Sequence, residues 1–345
     1  MTTYSFPAEW APHAATWIAW PHHEPDWPGK LPAISWVYAE IARVLSQHER
    51  VEILCHDEPV KAAAQEQLAA HGVVENARFH VVPTDRVWLR DSAPTFVHDE
   101  HGSIVLMNWL FNAWAKYPNF ALDAEVGRAM EHITGLGRLE PLRPEGGGRL
   151  VLEGGGIETD GEGTLLVTEE WLLSDQQVRN PGLDRDAYER AFRDWLGSHH
   201  TIWLGEGCVG DDTHGHVDDV ARFAGPGRIL LAYEEDPADD ENHRRSEDNL
   251  RRLELAGADA GALEVVKLPY PRPVMMNGER LPASYANFYI ANGAGLVPTF
   301  NDPNDRIALN TIASVFPGRS VIGIHAVDLV WGYGTLHCLT QQQPL

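Results

Sequence analysis

Cysteine is scarce: three residues in 345, at Cys55, Cys208 and Cys338, odd in number and far apart. That excludes a disulfide framework, a zinc knuckle or a redox Cys-x-x-Cys pair, and a reducing cytoplasm suits such a chain. Long apolar runs are missing too, so no membrane-spanning helix is expected. Met1 to Trp10 lacks the basic segment and apolar run of an export signal. Positive charge is also in short supply, with 27 Lys and Arg against 50 Asp and Glu, a formal net charge of −23. A balance of that sign argues against nucleic acid as a partner. It would attract a small cation, although acidity alone also serves solubility.

What is present is an alternation of strand-length apolar runs with helical patterns. The periodicity predicts helices at Ser35 to His48 and Pro59 to Gly72, with strands at Val51 to His56 and Ala77 to Pro83. Hairpins are predicted from Pro94 to Trp109, from Leu150 to Thr168 around Asp160-Gly161-Glu162-Gly163, and from Val217 to Tyr233 around Gly225-Pro226-Gly227. Helices follow at Asp184 to Leu196, Asp239 to Ala256 and Pro303 to Phe316, with strands at Thr201 to Leu204, Ala262 to Leu268, Asn287 to Ala291, Gly295 to Pro298 and Val321 to Ile324. Units of roughly 65 to 75 residues, each joining a hairpin to a helix and another strand, suggest a repeated α/β module. No linker interrupts residues 1–345, which read as one domain.

Four polar segments sit at the ends of predicted strands: Trp88-Leu89-Arg90-Asp91, Glu153-Gly154-Gly155-Gly156, Asp211 to Asp219, and the Cys338 tail. Asp91 precedes Ser92-Ala93-Pro94, where a turn former is ordinary. Glu153 is followed by three glycines, which permit a bulge or the close approach of a ligand. His214, His216 and Asp218 alternate, so on a strand they would share one face. That spacing also resembles the ligand run of metallo-β-lactamase-type zinc hydrolases, except that Asp219 stands where their next histidine would be. Cys338 lies near the C-terminus, where chains usually fray and an ordered thiol needs a reason.

Such a thiol is a nucleophile candidate, and His216 can supply its proton traffic. The carboxylates Asp91, Glu153 and Asp218 exceed what a cysteine triad requires, so a cationic substrate follows. A guanidinium fits, being planar, permanently charged and able to donate to two carboxylates side by side. Each carboxylate at about 4 Å contributes on the order of 4 kcal/mol at an effective dielectric near 20, before desolvation.

In order along the chain, Ala14 to Pro21, Trp88 to Asp91, Glu153 to Gly156, Gly210 to Asp218, Ala283 to Asn292 and His337 to Pro344 resemble the agmatine deiminases and related guanidine-modifying enzymes. The resemblance implies a pentein fold, a five-bladed α/β propeller of ββαβ-like repeats around a central active site. It implies Cys338 as nucleophile, His216 as general acid/base, Glu153 as the residue orienting His216, and Asp91 and Asp218 as guanidinium clamps. Trp88 would wall the guanidinium by cation–π contact. The implied reaction converts agmatine to N-carbamoylputrescine and ammonia through a thiouronium intermediate on Cys338, with no cofactor or metal. Amidino transfer, hydrolysis of another alkylguanidine, zinc-dependent hydrolysis and a catalytically retired cation-binding protein are the alternatives. The chain departs from the family pattern at Tyr333, in a glycine-rich approach to the sulfur, and at His214, where many agmatine enzymes carry Asn. Both are expected to contact substrate. Family members often form symmetric oligomers, and no segment here selects a symmetry.

Overall fold

The structure, a computed structural model, describes residues 3–73, 75–260 and 263–345. Five of its sheets repeat one pattern. A strand pairs antiparallel with the next, a helix follows, and a third strand returns parallel to the second. The helix is required by geometry, because a parallel partner is reached only through a crossover of a dozen or so residues.

One unit runs Thr95–His98, Ile104–Met107, helix Val126–Thr134 and Gly137–Leu139. The next uses Glu158–Thr159, Thr164–Thr168, helix Arg185–Leu196 and His200–Leu204. Two more follow: Ala221–Phe223, Arg228–Tyr233, helix Asp240–Ala260 and Glu264–Pro269, then Tyr289–Ala291, Ala294–Thr299, helix Asn304–Val315 and Ser320–His325. The remaining unit joins the two ends of the chain. Its first strand is Gln341–Pro344, paired antiparallel with His13–Ala19, which runs parallel to Arg50–Cys55 after helix Leu31–Leu45. A further helix, Glu58–Ala70, and strand Ala77–Val81 extend this sheet.

Local sequence explains the boundaries. The Asp184 side chain accepts from Ala187 N at 2.9 Å, capping its helix, and Gly197 at φ 69° ends it with its N–H on Phe192 O. Asp57 caps the helix Glu58–Ala70 in the same way, with Pro59 in the first turn. The middle strands, such as Ile229 to Ala232, are apolar along their length because both faces are covered.

Most predicted elements are present within a few residues. The helix Val126–Thr134 and strands His13–Ala19, Gly137–Leu139 and Gln341–Pro344 escaped the sequence reading. Of the predicted strand Ala262 to Leu268, Ala262 lies outside the described residues. Two predicted strands are corrected. Leu150 to Ile157 is mostly irregular, with a helical turn at Gly154–Gly156, and Val217 to Phe223 opens with a helical turn at Val217–Asp219 before the strand Ala221–Phe223. In both, the chain turns just ahead of its strand to present polar groups inward.

Those turns recur. Short helical turns precede the first strand in four units, at Leu89–Ser92, Gly154–Gly156, Val217–Asp219 and Leu336–Leu339, and Ser284 to Asn287 makes a turn at the same place in the remaining one. A buried ionic cluster ties several units together. Arg222 is paired with Glu9 at 2.9 Å and Glu158 at 3.0 Å and also donates to the carbonyls of Ala286 and Phe288, while Arg90 reaches Glu9 and Gln342.

Candidate active site

The recurring turns carry the chemistry. Asp91 comes from the first, Glu153 adjoins the second, His216 and Asp218 flank and occupy the third, Asn287 lies on the fourth, and Cys338 lies on the last. Cys338 is thus held by a buried helical turn followed by a paired strand, in a terminus that does not fray.

A cavity of about 380 Å³ reaches this cluster, and Trp88, Asp91, Trp114, Tyr333, Gly334 and Cys338 are among its lining residues. His216, Asp218 and Glu153 lie behind that lining, essentially without solvent exposure. Trp88 packs on Trp27 with ring centroids 5.5 Å apart, and a Cβ on Gly332 or Gly334 would come within 2.7 or 2.8 Å of the Trp88 ring. The glycines before the cysteine are therefore what lets the indole stand beside it.

Around the sulfur, Asn287 Nδ2 donates to Cys338 Sγ at 3.1 Å, and Asp218 Oδ2 lies 3.6 Å from it. Asn287 Oδ1 accepts from Thr335 Oγ1 at 2.8 Å and His337 N at 3.0 Å, which fixes the amide with its nitrogen toward sulfur. His337 bridges two carboxylates, Asp218 at 2.7 Å through Nδ1 and Glu9 at 2.8 Å through Nε2, linking the site to the ionic cluster. Asp91 accepts from Trp114 Nε1 at 2.8 Å and Gly155 N at 3.0 Å. Glu153 accepts from Trp171 Nε1 at 2.7 Å and Arg179 Nε at 3.1 Å. His216 stands between them, Nε2 3.5 Å from Glu153 and Nδ1 3.8 Å from Asp91.

Two polar atoms of this cluster, His216 Nδ1 and Asp218 Oδ1, are buried without a hydrogen-bond partner among the described residues. A Cβ built on Gly155 would lie 2.6 Å from His216 Nδ1, 2.9 Å from Asp91 Oδ1 and 3.1 Å from Asp218 Oδ2. The glycine thus keeps open the space on which one imidazole and two carboxylates converge.

The electrostatics differ sharply over a few ångströms. Burial opposes ionisation of Glu153, but the Arg179 charge and the bond to His216 outweigh it and hold the carboxyl at about 2. Burial, only partly offset by His216 and reinforced by Asp218 and Glu153, raises Asp91 to about 6. Burial would lower His216, yet Asp91, Glu153 and Asp218 together lift it to about 9, so the imidazolium dominates at neutral pH. Burial also opposes the Asp218 anion, but the His337 hydrogen bond and charge keep its carboxyl below the usual range. Burial pushes the Cys338 thiol well up, and Asp218, Asp219 and Asp91 add to the rise. A cation entering the cluster would neutralise those carboxylates and release the thiolate.

Of the residues singled out in the sequence, Cys338, Asp91, Trp88 and Tyr333 line the cavity, while His216, Asp218 and Glu153 lie just behind it. His214 does not join them. At φ 67° it turns away, with Nε2 2.9 Å from Ser174 Oγ and Nδ1 3.8 Å from Glu170 Oε1. The run His214, His216, Asp218 is a turn and not one strand face, so the three side chains do not converge as a ligand set. Tyr333 is also left-handed, at φ 65°, and its hydroxyl donates to Glu279 Oε2 at 3.0 Å, on the small hairpin Met275–Met276 and Glu279–Arg280. Sequence reasoning missed Asn287, Trp114, Arg179 and His337. The repeat could have exposed Asn287, since its unit needed a polar residue just before Tyr289.

A family profile described as Porphyromonas-type peptidyl-arginine deiminase matches residues 5–344. An agmatine deiminase from Stutzerimonas stutzeri (strain A1501) is 37% identical, covering 99% of this chain and 95% of the relative. A solved agmatine deiminase of Enterococcus faecalis superposes with a TM-score of 0.88 at 30% identity, over 99% of this chain and 96% of that one. The fold alone extends further, to an amidinotransferase from Microseira wollei at TM-score 0.51 and 12% identity, over 98% of this chain and 96% of that one. The architecture is the pentein fold. With near-complete coverage on both sides and a cysteine, a histidine and carboxylates gathered where the repeated turns meet, this chain belongs to the Porphyromonas-type peptidyl-arginine deiminase family.

Proposed function

We propose that residues 1–345 act as one catalytic unit that hydrolyses a small guanidine, agmatine first among candidates, to a ureido product and ammonia. The observation that carries this reading is the cavity-lining Cys338 sulfur, held by Asn287 and 3.6 Å from Asp218, with Asp91 opening onto the same cavity. Asp91 and Asp218 grip the guanidinium edges and Trp88 lies against its face. The bound charge offsets the carboxylates that hold the thiol protonated, and its proton leaves to solvent.

The thiolate forms a bond to the guanidinium carbon, giving a neutral tetrahedral adduct. His216, an imidazolium before the reaction, protonates one amino group, which departs as ammonia and leaves a thiouronium on sulfur. Neutral His216 then takes a proton from water as its oxygen attacks that carbon. Collapse breaks the C–S bond, the ureido product leaves, and the proton balance is closed by ammonium. Glu153 keeps the His216 ring in place through both halves.

The scarce cysteines and a nucleophile that must stay reduced support a cytoplasmic setting. Among the described residues no helix is long and apolar enough to cross a membrane. Incubation with agmatine should yield N-carbamoylputrescine and ammonia in equal amounts by mass spectrometry and a coupled ammonia assay. Cys338→Ser should yield neither, and full activity in that variant would sink the assignment.

A further inference from the structure

Ala113, Trp114 and Ala115 follow one another at φ 51°, 59° and 53°, a left-handed turn built without glycine. L-residues avoid that region because Cβ crowds the following carbonyl oxygen, and even the residues that enter it do so singly. Such a run persists only where its surroundings over-determine it. Its middle residue lines the cavity and donates its indole N–H to Asp91 at 2.8 Å. A carboxylate assigned to grip the substrate therefore rests on a strained segment.

Asn112 closes the turn locally, its Oδ1 accepting from Ala115 N at 2.9 Å. A second hold comes from a distant segment. Gln177 Nε2 donates to Trp114 O at 3.1 Å and to Asp212 O at 3.1 Å, one N–H for each carbonyl. Gln177 is itself left-handed, at φ 45°, and Arg179 fixes it by donating from Nη1 to Gln177 O at 2.9 Å. The same guanidinium donates from Nε to Glu153 Oε1 at 3.1 Å and from Nη2 to Thr213 O at 2.5 Å. Residues 177–179 thus tie together the turn behind Asp91, the carboxylate beside His216 and the stretch Asp212-Thr213 that leads into His216, three parts of the site carried by different repeats.

We propose that Gln177 is a positioning residue of the deimination reaction: its amide clamps the left-handed turn to the approach to His216 and so keeps the Trp114 N–H on Asp91. Gln177 is not among the cavity-lining residues and acts through Trp114. This rests on the deiminase reading above and extends it from the reacting groups to the strut that spaces them. Without the clamp the turn relaxes toward right-handed or extended backbone and the indole moves off, leaving Asp91 with Gly155 N, at 3.0 Å, as its remaining donor. The Trp114 bond favours the Asp91 anion, so its loss carries that carboxyl upward from about 6. The other titratable groups facing Asp91, which are His216, Glu153, Asp218 and the Cys338 thiol, are left in place by a change at Gln177.

The test is Gln177→Met, which keeps the length of the side chain and removes both donors without changing the net charge. Agmatine-dependent ammonia release is followed across pH. kcat/KM should fall on the order of 10-fold or more, and its acid limb should move up from near pH 6 by about one unit or more, as expected for a lost hydrogen bond to a charged group. A role in folding alone would lower the thermal melt and leave that limb where it was. Ala115→Gly is then added to Gln177→Met, because glycine adopts left-handed backbone without the Cβ penalty, and it should bring the limb back toward the parent's position. An acid limb that stays at the parent's position in Gln177→Met, whatever happens to the melt, or a shifted limb that Ala115→Gly leaves unmoved, would overturn the clamp while leaving the deiminase reading intact. Absence of Cys338-dependent ammonia from agmatine in the parent would overturn the deiminase reading, and the clamp with it.

Discussion

Gly155→Ala places one methyl between the imidazole of His216 and the carboxylates of Asp91 and Asp218. The backbone tolerates it, since Gly155 is not among the residues with positive φ. The added carbon would stand 2.6 Å from His216 Nδ1, 2.9 Å from Asp91 Oδ1 and 3.1 Å from Asp218 Oδ2, against ordinary heavy-atom contacts of about 3.5 Å. None of the three can swing aside freely. His216 is wedged edge-on against Trp171 and beside Glu153, Asp91 is held by Trp114, and Asp218 by His337. Overpacking of this kind costs about 1–3 kcal/mol of stability, and a displacement near 1 Å at reacting groups costs on the order of 100-fold in rate. The assay is kcat for ammonia release, beside a thermal melt and iodoacetamide labelling of Cys338 to show that the fold and thiol persist. A folded Gly155→Ala enzyme with kcat within about threefold of the parent would refute the convergence of these groups on one substrate atom cluster.

Other outcomes follow from the same geometry. Asn287→Ala removes the donor to sulfur and should lower kcat roughly 10- to 100-fold, as expected for a hydrogen bond to a charged group, with Cys338 alkylation shifted to higher pH; an unshifted alkylation profile would count against it. The kcat/KM profile should rise as Asp91 ionises near pH 6 and fall as His216 loses its proton near pH 9, and a base-side limb near 6.5 would contradict the raised histidine. The same shifts act on stability with opposite signs. His216, raised from 6.5 to about 9, contributes stability that is present below 6.5 and lost as pH climbs through 9, while Glu153, lowered from 4.5 to about 2, contributes stability present above 4.5 and lost as pH falls through 2. Urea unfolding across those windows reads both. Arg222→Met strands the buried Glu9 and Glu158 carboxylates and should cost about 3–5 kcal/mol; a denaturation midpoint equal to the parent's would show the ionic cluster to be dispensable.

Much of the fold was legible because its strands are apolar and its helices carry ordinary caps, as at Asp57 and Asp184. The misses have specific causes. Gly154–Gly156 and Val217–Asp219 break alternation just before short strands, so apolar letters around them read as longer strands than the chain forms. The C-terminal strand Gln341–Pro344 carries three glutamines and a proline, no β signature, and exists because His13–Ala19 offers it a partner more than 300 residues away. His214 was expected at the substrate from the family resemblance, and on one face with His216 from alternation; a left-handed turn that no local propensity announces sent it to Ser174 instead.

The sequence by itself determined the ingredients: a thiol, an imidazole, an excess of carboxylates and a repeated α/β grammar, each legible from residue type and local pattern. It could not determine protonation. Whether Cys338 rests as thiol, whether His216 carries a proton and whether Asp91 ionises with difficulty depend on burial and on charges brought from other repeats, which only the tertiary structure assembles. The same holds for Asn287 and His337, ordinary letters in the sequence. Their meaning comes from what the fold places against them, or leaves unplaced.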